Sequence, residues 1–128
     1  MEATQPISEA LPVVNADVLN RDLLEQYKQI KSGLLKRLIE AYLEEAPKYF
    51  SGISNGINDD NFDAIVANCH ALKSCSGNLG VVKLSRTCQL MEDAGKAKDA
   101  DEVAALYEVM GPQAFEAEEA LKGEAIAL

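Results

Sequence analysis

Tryptophan is absent from this 128-residue chain, histidine occurs once, and Tyr and Phe together make up 5% of it. A core with so few aromatics must be filled by Leu, Ile, Val, Ala and Met, and a hydrophobic content of 48% is enough for one domain core. Long apolar runs are also missing, so no segment has the roughly 20 consecutive apolar residues that cross a bilayer. The N-terminus lacks the basic start, apolar middle and small-residue cleavage pattern of a secretory signal. Basic residues are scarce: 12 Lys and Arg stand against 21 Asp and Glu, a formal charge of −9. That balance argues against a nucleic-acid surface and against adsorption to anionic lipid, and it leaves proteins as the expected partners. The three cysteines, Cys69, Cys75 and Cys88, are odd in number and show no CxxC spacing. They read as buried thiols in a reducing compartment, not as a disulfide framework. The expectation is a cytoplasmic domain without direct membrane insertion, free-standing or cut from a larger protein.

What the chain does have is helical periodicity, with abundant Ala and Leu and few β-branched runs. Residues 1–14 carry Pro6 and Pro12 and no such period, so a flexible lead-in or linker is expected there. Val18, Leu19, Leu23, Leu24 and Tyr27 predict a short helix capped by Asn15 or Asp17, with a turn at Ser32-Gly33. From near Ser32, the stripe Leu35, Leu38, Ile39, Tyr42, Ala46, Tyr49, Ile53 and Ile57 predicts a long helix, kinked at Pro47. After a turn at residues 58–61, Phe62, Ile65, Cys69, Leu72, Ser76 and Leu79 recur at steps of three and four, the seam of a helical bundle. Gly80 can end that helix. Val81, Leu84, Cys88, Met91 and Gly95 repeat the spacing at once, so the two helices must form an antiparallel hairpin. Residues 96–101 read as a turn. Val103, Leu106, Met110, Ala114, Ala117 and Leu121 predict a last helix, with a kink or break at Gly111-Pro112. The predicted fold is all-α: an up-and-down four-helix bundle over residues 15–123 with a short extra N-terminal helix, followed by a frayed tail over residues 124–128.

His70 stands one residue past the seam position Cys69, about 100° around the helix, so it borders the core stripe and faces outward. Its neighbours one or two turns away are Val66, Lys73, Ser74 and Gly77. A neutral imidazole has a lone pair on one ring nitrogen that can attack phosphorus. Lys73 can set an ammonium beside a transferred phosphoryl group. Ser74 and Gly77 project little and would let another protein approach, and Val66 adds an apolar edge. Taken singly, each residue has a plainer reading: a surface histidine, a solvated lysine, small residues that permit helix packing. A metal site at Cys69 and His70 is not supported, because adjacent helical residues diverge and no second histidine exists. Neither a GxxxxGK[ST] loop nor a GxGxxG loop is present, so nucleotide binding and autokinase activity are not expected. Any phosphoryl group must then come from another protein.

The segment His70-Ala71-Leu72-Lys73-Ser74-Cys75-Ser76-Gly77-Asn78-Leu79-Gly80 resembles the H-x-L-K-[GS]-x-S-x-x-L-G signature of histidine-containing phosphotransfer (HPt) domains. The run Leu38–Pro47, the later Leu84, Cys88, Met91-Glu92 and Lys96, and the helix order are also similar to that family, over roughly residues 18–121. The resemblance implies a relay in two-component phosphorelays, between the receiver domain of a hybrid sensor histidine kinase and that of a response regulator. It implies His70 as the phosphoacceptor and Lys73 as the residue that balances phosphoryl charge. It implies no cofactor of the chain's own, since the partner receiver supplies Mg²⁺. Glu92 matches a position that in some members bonds the inner ring nitrogen, and Lys96 one that is sometimes basic. Hairpin geometry alone leaves Gln89 as a competing partner for the ring. Ser74 departs from the family's more usual Gly but remains small. A monomer is expected. A non-catalytic adaptor using the same face and a structural dimerisation bundle are the alternatives.

Overall fold

Three of the five helices among the described residues begin on a side chain that takes up a free backbone N–H. Asn20 Oδ1 accepts from Leu23 N at 3.2 Å, Asn61 Oδ1 from Ala64 N at 3.0 Å and Asp99 Oδ1 from Glu102 N at 3.1 Å. These caps open α1 (Arg21–Ile30), α3 (Phe62–Asn78) and α5 (Ala100–Ala127). The other two helices are α2 (Leu34–Asn58) and α4 (Val82–Lys96). The computed structural model describes residues 18–128, so the lead-in expected at residues 1–14 and the caps expected at Asn15 and Asp17 lie outside the described residues.

The helices form an up-and-down four-helix bundle, α2 to α5, with the short α1 packed on α2. Chain neighbours pack against each other, and α5 closes the bundle on α2. The seam residues predicted for α3 and α4 are in the core: Ile65, Cys69, Leu72, Leu79, Val81, Leu84, Cys88 and Met91 are all buried. Ile39 and Ile53 from α2 and Leu106, Met110 and Leu121 from α5 meet them there. Each such side chain contributes about 1.5–3 kcal/mol when fully buried, which outweighs the helix-propensity cost of about 1 kcal/mol for an interior glycine. The polar seam residue Ser76 is buried with a partner, for its Oγ lies 3.3 Å from the Tyr42 hydroxyl. Burial pushes that tyrosine up to about 12. Burial likewise pushes the Cys69 thiol up to about 12, so it stays protonated and unreactive.

Several expectations are corrected. Val18 and Leu19 are not in α1. Leu19 pairs with Val81 in an isolated antiparallel bridge, and Asn20 N donates to Gly80 O at 2.8 Å. The extended strap places the cap at Asn20. Pro112 lies inside α5, so of the kink or break expected at Gly111-Pro112 the break does not occur; Pro47 lies inside α2, which runs on past it as expected. Both prolines are exposed, so the carbonyls they leave unpaired, on Leu43 and Glu108, are near solvent, while buried Ala46 and Met110 anchor the same turns. Residues 124–127, expected to fray, continue α5. The Arg21–Glu124 ion pair and buried Leu121 tie that end down.

The α3–α4 hairpin is fixed most firmly. Gly80 has φ 69°, and Val81 N donates to Ser76 O and Gly80 N to Gly77 O, at 2.9 and 3.0 Å. This is a Schellman closure of α3. A Cβ on Gly80 would stand 2.6 Å from Asn20 Cβ, so the strap and the left-handed turn both require glycine there. Tyr27 adds a hydroxyl bond to Asn78 O at 2.6 Å, which pins α1 to the same corner.

Candidate functional site

Two helices supply the site, and their close approach sets its geometry. Gly95 on α4 lies buried against α3, where a Cβ would meet Val66 Cγ2 at 2.9 Å. With nothing there, α4 lies close enough for its next inward turn to bring Glu92 up to the outer edge of α3. Val66 is thereby half-buried at the rim.

His70 emerges beside this contact with its side chain 64% exposed. Its Nδ1 lies 3.5 Å from Glu92 Oε2, a contact somewhat longer than a hydrogen bond. Glu92 is only 7% exposed, and two ammonium groups face it. Lys96 Nζ is 3.2 Å from Oε2, and Lys73 Nζ is 3.3 Å from Oε1. Burial alone would raise the Glu92 carboxyl, but the two adjacent ammonium groups of Lys96 and Lys73 outweigh it and hold the carboxyl below its ordinary range. Glu92 is therefore an anion at neutral pH. An anion beside Nδ1 favours the ring tautomer with its proton on that nitrogen, which leaves the lone pair on Nε2, the other ring nitrogen. The arrangement can present a nucleophilic nitrogen outward and stabilise positive charge on the ring from behind.

Of the two partners that hairpin geometry left open for the ring, Glu92 lies against it. Gln89 lies against Lys73 instead, accepting from Nζ at 2.6 Å. Lys73 is 27% exposed and sits one helical turn from His70, at the inner edge of the face. Lys96, 61% exposed, reaches Glu92 from the turn beyond. Ser74 and Gly77 are both exposed, and a Cβ on Gly77 would meet only Ser85 Oγ, at 3.6 Å. The face is thus open along α3 for two turns past the ring. All the residues singled out from the sequence are on this one side of the α3–α4 hairpin.

Sequence reasoning missed Asp93 and Ser85. Asp93 Oδ1 accepts from Gln89 Nε2 at 3.0 Å, and Ser85 Oγ donates to Lys73 O at 3.4 Å. The spacing of four between Gln89 and Asp93 on α4 was the available signal for the first. Ser85 has none, because its partner is a backbone carbonyl on another helix. Among the described residues no group of three or more His, Cys, Asp or Glu side chains is placed to hold a metal ion, and no helix is long and apolar enough to cross a membrane.

Comparison with known proteins adds four findings. The family description "Hpt domain" matches residues 37–125. Among solved structures, the chain is similar to histidine-containing phosphotransfer protein B (HptB) from Pseudomonas aeruginosa PAO1, with 18% identity and a TM-score of 0.83 over 88% of this chain and 98% of that one. It is also similar to the HPT domain of an Hpt sensor hybrid histidine kinase from Shewanella, with 22% identity and a TM-score of 0.75 over 87% of this chain and 96% of that one. At these identities the two structures bear on the fold alone. No curated protein matches significantly by sequence.

Proposed function

Because the chain belongs to the Hpt domain family, we propose that it relays a phosphoryl group between receiver-domain aspartates, from a hybrid sensor kinase to a response regulator, through a phosphohistidine at His70. The observation that supports this reading most is the largely exposed His70 side chain, backed at Nδ1 by a buried, ionised Glu92.

The chemistry follows from that placement. The Nε2 lone pair attacks the phosphorus of the receiver's aspartyl phosphate. An N–P bond forms, the P–O bond to the aspartate breaks, and the carboxylate leaves with the bonding electrons. The ring becomes more positive as it loses electron density to phosphorus, and Glu92 stabilises that charge through the Nδ1 proton. Lys73 supplies an ammonium to the phosphoryl oxygens, with Lys96 adding positive charge from the turn beyond. Transfer onward is the same step reversed toward a second aspartate. Mg²⁺ belongs to the receiver's acidic pocket, and nothing on this chain needs to bind it. ATP takes no part, so the chain is a carrier and not a kinase. Val66, Ser74 and Gly77 form the surface on which the receiver docks, one receiver to one monomer.

The test is transfer from a panel of receivers, each phosphorylated on its aspartate. At least one should pass its phosphoryl group to this chain, giving an acid-labile, base-stable adduct, and the labelled chain should discharge to a second receiver. Failure of every receiver to label it would sink the proposal.

A further inference from the structure

Lys73 stands between two acceptors of different character. One is the neutral amide oxygen of Gln89, 2.6 Å away and hydrogen-bonded. The other is Glu92 Oε1, 3.3 Å away, a buried carboxylate oxygen with no hydrogen-bond partner among the described residues. The ion pair there has the distance of a salt bridge without the alignment of a hydrogen bond.

Gln89 has a defined orientation. An ammonium can only donate and a carboxylate can only accept, so Lys73 must take the amide oxygen and Asp93 the amide nitrogen. Turning the amide over would break both bonds at once. Asp93 thus acts through Gln89: its charge polarises the amide and keeps the oxygen aimed at Lys73. The charged groups facing Lys73 are Glu92 and, beyond it, Lys96, with Asp93 behind the amide.

Physical chemistry separates what the two acceptors would do. A neutral amide holds an ammonium in place and leaves its charge available to a third group. A buried carboxylate holds it more tightly and cancels that charge. Without Gln89 the nearest strong acceptor is Glu92 Oε1, whose lone pairs are unused. Lys73 would close onto it, and its ammonium would be withdrawn from the face that carries His70.

We infer that Gln89 is a positioning residue, which holds Lys73 beside His70 and keeps its ammonium from closing fully onto Glu92, so that charge is left for the phosphoryl group. This rests on the reading of His70 as the phosphoacceptor. Gln89 touches neither the ring nor the incoming group and acts through Lys73 alone.

The experiment uses Gln89→Met, which keeps the length of the side chain and removes both hydrogen bonds. Transfer from one phosphorylated receiver is followed by rapid mixing over a range of receiver concentrations. The maximal rate should fall about tenfold, the scale set by one charge-assisted hydrogen bond, with the half-saturating receiver concentration unchanged. The decisive comparison is made in a Glu92→Gln background, which removes the charge that would draw Lys73 away. There Gln89→Met should cost less than about twofold, since coupled residues do not act additively. A purely structural role for Gln89 would give the same loss in both backgrounds and overturn the inference. So would an unchanged maximal rate, or a change confined to half-saturation, which would make Gln89 a docking contact. His70→Gln is measured alongside. If that variant is labelled like the parent, the phosphoacceptor reading itself fails; if it is silent while Gln89→Met behaves as the parent, only the present inference fails.

Discussion

Replacing His70 by Gln reduces labelling by a phosphorylated receiver to background and leaves the fold intact. Both halves of that expectation have a physical basis. The side chain is 64% exposed, so little apolar burial is lost. Glutamine is a slightly better helix former than histidine, by a few tenths of a kcal/mol. The buried anion Glu92 keeps both of its ammonium partners, so no charge is stranded. The helical circular dichroism and the melting temperature should therefore stay at the parent's values. Chemically, nothing on the face replaces the ring. An amide nitrogen has no nucleophilic lone pair, Lys73 is a cation, and Ser74 has no hydrogen-bonded base among the described residues to activate it. A Gln variant that still takes label would place the acceptor elsewhere.

Gly77→Glu separates docking from chemistry. The position is exposed and on the same face as His70, two turns toward the end of α3. A Cβ there meets nothing closer than 3.6 Å, so any side chain can point to solvent. Two opposing terms act on stability. Loss of a helical glycine favours folding by up to about 1 kcal/mol. An anion in the last turn of a helix opposes it by roughly 0.3–1 kcal/mol. They nearly cancel, and the melting temperature should scarcely move. The effect on the partner is not balanced in this way. A long acidic side chain projects into the space a receiver must occupy and repels its acidic pocket, so affinity should fall by about tenfold or more, read as a rise in half-saturating receiver concentration. Gly77→Ala is the control: it should keep affinity within about twofold and be slightly stabilising. An unfolded Gly77→Glu variant, or one that binds normally, would show that the docking face lies elsewhere.

Much of this was readable from residue spacing, and the reasons are specific. The seam from Ile65 to Leu79 is long, regular and interrupted by no polar residue larger than serine, so the buried side of α3 and the outward side of His70 follow from helix geometry. The short link at Gly80 permits only a hairpin, which brings α4 behind the ring. What the spacing could not give depends on tertiary contacts. The start of α1 is set by Leu19 pairing with Val81, two residues 62 positions apart. Pro112 fails to break α5 because buried residues on either side hold the helix, a matter of packing and not of local preference. The choice between Glu92 and Gln89 as the partner of the ring turned on where two long side chains one turn apart end. Gly95 decides it by letting α4 lie close to Val66. The Gln89–Lys73 link was invisible for the same reason, since it needs the register of α3 against α4 at the level of individual atoms.

One measurement bears directly on the role assigned to His70. The chain has a single histidine, so its imidazole nitrogens give an unambiguous proton–nitrogen correlation spectrum. The spectrum is recorded on the chain labelled with ¹⁵N and phosphorylated by a receiver. The geometry predicts a phosphoryl group on Nε2 with the proton retained on Nδ1, facing Glu92. A phosphoryl group on Nδ1, or a labelled chain whose imidazole carries no phosphorus at all, would contradict it.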